Sequence, residues 1–146
     1  MKSISKFFTV LIIALGATSA HAQQKTLKLQ QLPSKAQIFI KNTFAPTDIS
    51  YILEEREVFS KEYNVKLKNG TEIEFDSKGQ WTEVDGKRVA VPAKIIPAKI
   101  VDHVNKSFPE TQIVKIKKSN RKIEVELTND LELEFNAKGD FVRIDD

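Results

Sequence analysis

From residue 33 onward the apolar residues fall first at a spacing of four and then at a spacing of two, and this whole progression occurs twice. Ala36, Ile40 and Phe44 recur every fourth residue, as do Ile100, Val104 and Phe108. Each set predicts one buried stripe of a helix. Pro33 and Pro97 stand just ahead of the stripes, where a first helical turn tolerates proline because its missing N–H would have no partner anyway. Pro46 and Pro109 end the helices. The period then changes to two: Tyr63, Val65 and Leu67, then Ile73 and Phe75. The second stretch repeats it with Ile123, Val125 and Leu127, then Leu131, Leu133 and Phe135. Such alternation predicts strands with one buried face.

The two stretches align residue by residue. Leu32-Pro33-Ser34-Lys35 matches Ile96-Pro97-Ala98-Lys99, and the same offset carries Phe44 onto Phe108 and Ile49 onto Ile113. Farther on, Asn69 meets Asn129, Phe75 meets Phe135, Gly79 meets Gly139, Trp81 meets Phe141 and Asp85 meets Asp145, with the second copy four residues shorter between the two blocks. The expected fold is therefore α+β: two tandem repeats, each one helix packed on an antiparallel β-meander of three to four strands. The repeats span residues 32–85 and 96–146. Residues 86–95 form the linker, where Val91-Pro92 favours an extended path, and residues 23–31 form a loose, flexible leader. One copy, about 50 residues long and without cysteine, would bury only a marginal core. Two copies sharing a core or a sheet escape that limit.

Hairpin register follows from the pattern. Taking Lys68-Asn69-Gly70 as a three-residue loop pairs Leu67 with Thr71, Val65 with Ile73 and Tyr63 with Phe75, and places Gly70 at the left-handed position such loops favour. The same register in the second copy pairs Leu127 with Leu131, Val125 with Leu133 and Ile123 with Phe135. Asp130 then takes the place of Gly70, a position Asp also tolerates. Trp81 and Val84 cannot share one face of a regular strand, so the last strand needs a bulge or ends early.

This register sets the outward charges. Lys66 faces Glu72, Asn64 faces Glu74 and Glu62 faces Asp76; in the second copy Glu126 faces Glu132 and Glu124 faces Glu134. Opposed like charges destabilise a sheet by about 0.2–1 kcal/mol per pair. One remedy is a neighbouring strand: a Ser119-Asn120 turn would set Lys115 beside Glu124, with Lys117 and Lys122 close by. The other is a ligand, either a basic protein surface or calcium, which needs about 6–8 oxygen ligands. Glu124, Glu126, Glu132 and Glu134 are thus candidate binding residues. Trp81 and Phe141, at equivalent positions after a turn glycine, are either partner anchors or residues at the edge of the core.

The first 22 residues read as a signal peptide: Lys2 and Lys6, the apolar run Phe7 to Ala17, then Ala20-His21-Ala22 with cleavage before Gln23. The run is shorter than the roughly 20 residues that span a bilayer, so no stable membrane span is expected after cleavage. Without Lys2 and Lys6 the formal charge falls from +3 to +1, which leaves no basic excess for a nucleic acid. Past the signal there is no cysteine and a single histidine, His103, which falls where Phe39 stands in the first copy. That is too little material for nucleophile–base pairs or transition-metal clusters, and the glycines mark turns. No enzyme, cofactor or metal centre is expected.

The segment Tyr63-Asn64-Val65-Lys66-Leu67-Lys68-Asn69-Gly70-Thr71-Glu72-Ile73-Glu74-Phe75-Asp76-Ser77-Lys78-Gly79-Gln80-Trp81, with Pro33, Ile40 and Phe44 ahead of it, resembles the PepSY-like family, also described as β-lactamase-inhibitor-like. The second copy fits with Asp130 for Gly70, Asn136 for Asp76 and Phe141 for Trp81. The resemblance implies small exported bacterial proteins with a helix on an antiparallel sheet in each repeat. It implies binding or inhibition of peptidases or other envelope enzymes and supplies no catalytic residue. The expectation is a periplasmic or secreted, non-catalytic protein that binds an unidentified envelope or secreted enzyme. The alternative is a cation or small-ligand binder using the acidic face of the second repeat.

Overall fold

A computed structural model describes residues 23–145; residues 1–22, where a signal peptide is expected, lie outside them. The chain runs β1 (Gln23–Thr26), α1 (Ser34–Thr43), β2 (Ile49–Arg56), β3 (Lys61–Leu67), β4 (Glu72–Phe75), β5 (Trp81–Asp85), α2 (Ala98–Ser107), β6 (Ile113–Lys118), β7 (Lys122–Leu127), β8 (Glu132–Asn136) and β9 (Phe141–Asp145). All nine strands form one antiparallel sheet in chain order. This is an α+β fold of tandem units, four strands to each repeat, with β1 added at one edge. Among the described residues no helix is long and apolar enough to cross a membrane.

Both helices begin directly after Pro33 and Pro97, and both end where Phe44 and Phe108 donate their amides to the carbonyls of Ile40 and Val104. Ala36, Ile40, Ile100 and Val104 are buried. They join Val65, Ile73, Phe75, Val125, Leu133 and Phe135 in one continuous hydrophobic cluster that spans the two copies. The ring of Phe39 on α1 meets Phe75 edge-on, and His103 on α2 meets Phe135 the same way.

The hairpin register is as expected in both copies. Tyr63 faces Phe75 and Val65 faces Ile73; Ile123 faces Phe135 and Val125 faces Leu133. The loops close through Leu67 N–H to Thr71 O (2.8 Å) and Leu127 N–H to Leu131 O (2.9 Å). Gly70 and Asp130 both lie in the left-handed region, at φ 95° and 65°. The bulge is present too: the register shifts where β5 meets Phe75 and where β9 meets Phe135.

Two expectations need correcting. The loose leader 23–31 is structured: β1 pairs with β2, Leu27 donates its amide to Ile52 O and is buried, and Leu29–Gln31 forms a 3-10 turn before buried Leu32. Leu27 and Leu32 supply the apolar anchorage that makes this ordering favourable. The segment expected as the linker, 86–95, is packed against the second repeat, with Gly86 and Val91 donating to Val114 O and Ile113 O and Val91 buried, which adds to that expectation without overturning it. Finally, Lys115 faces Glu126 and Lys117 faces Glu124. The turn is Asn120-Arg121: Ser119 N–H bonds Lys122 O, and the Ser119 hydroxyl accepts from the amides of Arg121 and Lys122. The shift of two residues keeps every side chain on its face and changes only the partner.

Gly79 and Gly139 occupy equivalent turns at φ 79° and 83°, but a Cβ at Gly79 would stand 2.6 Å from Pro33 Cβ, whereas at Gly139 the nearest atom is 3.5 Å away. Either alanine substitution forces a left-handed conformation, costing about 1–2 kcal/mol. Gly79→Ala adds a clash with the start of α1. Urea unfolding should therefore place Gly79→Ala at least about 1 kcal/mol below Gly139→Ala in stability.

Candidate functional site

Strand alternation sends one set of side chains to the helices and the other to the opposite face, where two polar rows cross the sheet. The first runs Tyr51, Lys66, Glu72, Asp85, Lys115, Glu126, Glu132, Asp145. The second runs Leu53, Asn64, Glu74, Glu83, Lys117, Glu124, Glu134, Arg143. Acids outnumber bases in both rows, although the chain as a whole carries a small positive charge. The sheet face is acidic and the cationic excess lies elsewhere.

In the first copy the charges are mostly paired. Lys66 and Lys87 both reach Glu72, and Lys87 also reaches Asp85 at 2.8 Å. At the seam between repeats, buried Glu83 receives Lys115 at 3.1 Å and Lys117 at 3.7 Å. Glu74 is the exception: it faces Glu83 and Asn64 and makes no ion pair among the described residues. Burial, then Glu83 and Glu62, pushes its carboxyl up to about 7 against the pull of Lys117 and Lys115.

In the second copy Glu124 and Glu134 do oppose each other, as do Glu126 and Glu132. The first pair is offset by cations: Lys122 sits 2.7 Å from Glu124 and 3.2 Å from Glu134, and Arg143 sits 2.9 Å from Glu134. The second pair has less relief. Lys115, its neighbour in register, forms its salt bridge with Glu83, and on the other side Glu132 faces another acid, Asp145, which Arg143 reaches at 3.2 Å. Burial raises the pKa of Glu126, and Lys115 opposes that while Asp85, Glu132 and Asp130 reinforce it. The four candidate acids thus share one end of one face, but as two unlike pairs.

Asp145 and Arg143 were missing from the sequence-level site. Carboxylate oxygens of Glu124, Glu134 and Asp145 lie within 4.8 Å of one another, a spacing that suits a cation. Asp145 belongs there because the bulge on β9 resets which of its residues face outward. The match of Asp145 to Asp85 was the available signal.

Trp81 and Phe141 lie on the helix side, away from the acids. Trp81 stacks on Phe39 at 5.7 Å with Lys118 Nζ 3.8 Å above its ring. Phe141 stacks on His103 at 4.4 Å. The same position has two environments, because β5 is flanked by β6 while β9 is the edge: Val84 is fully buried, whereas Phe141, Val142 and Ile144 are exposed.

Two copies of one α+β unit fused through a single sheet, with a polar face opposite the helices, define the class of fold. The chain belongs to the PepSY-like family: the family model described as "Putative beta-lactamase-inhibitor-like, PepSY-like" matches residues 18–68 and 61–143. No curated protein matches the chain. Among solved structures it is similar to one described as "a putative calcium-regulated periplasmic protein" from Bacteroides thetaiotaomicron, at 37% identity and a TM-score of 0.81, covering 84% of this chain and 97% of that one. Two proteins from Bacteroides vulgatus, both described as periplasmic, are also similar. One has 36% identity and a TM-score of 0.78 over 84% of this chain and 97% of the other. The second has 33% identity and a TM-score of 0.79 over 85% of this chain and all of the other.

Glu74 has a measurable consequence. A carboxyl whose folded pKa lies above its unfolded value of 4.5 opposes folding once ionised, so its contribution is most favourable below 4.5 and declines as pH rises towards about 7. Glu74→Gln should flatten the pH dependence of urea unfolding across that window. Above pH 7 it should gain about 1 kcal/mol, the full shift being reduced by solvent screening at the exposed part of the group.

Proposed function

We propose that this chain is a periplasmic, non-catalytic binding protein that docks a basic surface of an envelope or secreted enzyme, such as a peptidase, on the acidic end of its sheet. The observation that carries this reading is the row Glu126–Glu132–Asp145: three carboxylates adjacent in register, flanked by Lys115 beside Glu126 and by Arg143 on Asp145 at 3.2 Å, but with no ion pair to Glu126 or Glu132 among the described residues. Such an arrangement costs stability in the free protein, and a basic partner would remove that cost. The periplasmic descriptions of the similar structures and the signal-peptide pattern support the location. A single histidine and no cysteine beyond the signal support a binding role over catalysis.

The test is capture from a native envelope fraction with the mature chain as bait, followed by mass spectrometry. A protein retained at low salt, released as salt rises, and lost with Glu126→Gln/Glu132→Gln is the expected outcome. Recovery of no protein, or equal recovery by the double variant, overturns the proposal.

A second reading is calcium binding, favoured by the convergence of Glu124, Glu134 and Asp145 and by the description of the Bacteroides thetaiotaomicron protein as calcium-regulated. Three carboxylates supply at most six oxygens, at the lower limit of what calcium takes. The ion would also have to displace Lys122 and Arg143. Titration calorimetry with calcium should then show binding that Glu134→Gln weakens at least about tenfold, the loss of one charged ligand. No heat from the unsubstituted protein rejects this reading.

A further inference from the structure

The helix side of the molecule holds a pocket of about 500 Å³ where the two repeats meet. Its walls come from both. Ile38 and Phe39 on α1 and Trp81 on β5 form the apolar body, and Lys35 on α1, Lys94 in the linker and Lys118 at the end of β6 supply the charge. No acidic side chain lines it. The volume falls within the roughly 300–1,000 Å³ of small-molecule sites.

The second copy carries different residues on the equivalent surface. Ile38, 58% exposed on its helix, is replaced by Asp102; Phe39 by His103; Gln80 by Asp140; Trp81 by Phe141. Lys99, the equivalent of Lys35, is bound by Asp140 at 2.8 Å. Since β9 ends the sheet, no strand beyond it supplies an equivalent of Lys118. The first copy thus keeps an exposed isoleucine where its duplicate has a carboxylate, and a neutral glutamine where its duplicate has an acid that neutralises the lysine.

Lys118 is held over the Trp81 ring, and burial lowers its pKa; Asp76 is the acid that partly opposes this. That carboxylate already accepts the amides of Lys78 and Gln80 in the turn. Lys94 donates to the carbonyl of Asn42 near the end of α1, and an ammonium has further donors to offer. The pocket therefore joins a stacked aromatic floor to three cationic groups, and its complement is a small molecule with an apolar body and one anionic end.

We propose that this junction pocket binds a small amphiphilic carboxylate, its alkyl or aryl body against Ile38, Phe39 and Trp81 and its carboxylate among Lys35, Lys94 and Lys118. The proposal is independent of the acidic sheet face, which lies on the other side of the sheet. Trp81 is the only tryptophan of the chain, so its emission reports directly on the pocket.

The experiment titrates the mature protein with octanoate, octanol and octylammonium, following Trp81 fluorescence and, in parallel, calorimetric heat. Octanoate should give a saturable change in both, with octanol weaker by about tenfold, the value of one charge-assisted contact, and octylammonium weaker still. Lys118→Gln should weaken octanoate by about tenfold. Ile38→Asp, which installs the residue of the second copy on an exposed helix face, should abolish binding while leaving the circular dichroism spectrum unchanged. Lys99→Gln in the second copy should have no effect. Absence of saturable binding in both readouts, equal affinity for octanol and octanoate, or unchanged binding by Ile38→Asp overturns the proposal.

Discussion

Three residue pairs join the repeats through the sheet: Glu83 with Lys117, Val84 with Ile116, and Asp85 with Lys115. Val84 and Ile116 are buried in the shared core, while Glu83 and Asp85 meet lysines on the opposite face. A slip of one residue would turn Val84 outward and carry a carboxylate into the core, so the seam has little freedom of register. Each repeat alone would expose a strand edge and bury only half of this core. Joined, they leave just β1 and β9 as edges. The packed linker reinforces the arrangement by donating to the carbonyls of Ile113 and Val114 beside the seam.

The seam also divides the work between two copies that began as equals. In the first, the last strand is flanked by β6, so Trp81 is half-buried, Val84 is fully buried, and a pocket forms above the junction. In the second, the corresponding strand is the edge, and Phe141 and Ile144 stay exposed. The outward face shows the reverse trend. Charges of the first repeat are largely matched by Lys66, Lys87, Lys115 and Lys117, whereas in the second five carboxylates, Glu124, Glu126, Glu132, Glu134 and Asp145, gather towards β9 with Lys122 and Arg143 as their bridging cations. The result is an acidic surface at one end of the sheet and a basic, aromatic pocket on the helix side.

Much of the fold was legible because the forces behind it are local. Spacing of four and then of two identifies helix and strand, and a side-chain period of two, together with the left-handed positions of Gly70 and Asp130, favours the three-residue loop that keeps Tyr63, Val65, Ile73 and Phe75 on one face. The bulge followed from the incompatibility of Trp81 with Val84. The Glu–Glu pairs followed from the same register, since neighbouring strands of a hairpin are neighbours in sequence as well. The error at Lys115 was also local: the Ser119 hydroxyl, by capping two amides, moved the turn one residue onward, a choice that the apolar pattern does not report.

The remainder was decided by contacts between segments far apart in the chain. Sequence determined the duplicated unit, its inward stripe and its outward charges. Only the tertiary structure decided that β1 pairs with β2, that β5 pairs with β6, that Lys115 bridges to Glu83 across the seam, and that Arg143 and Asp145 join the acidic end. The physical reason is that periodicity specifies which side of an element meets the core, and carries no information about which distant element will lie beside it. The pocket illustrates the point: Lys118 and Trp81, 37 positions apart, meet only because the seam sets one strand against the other.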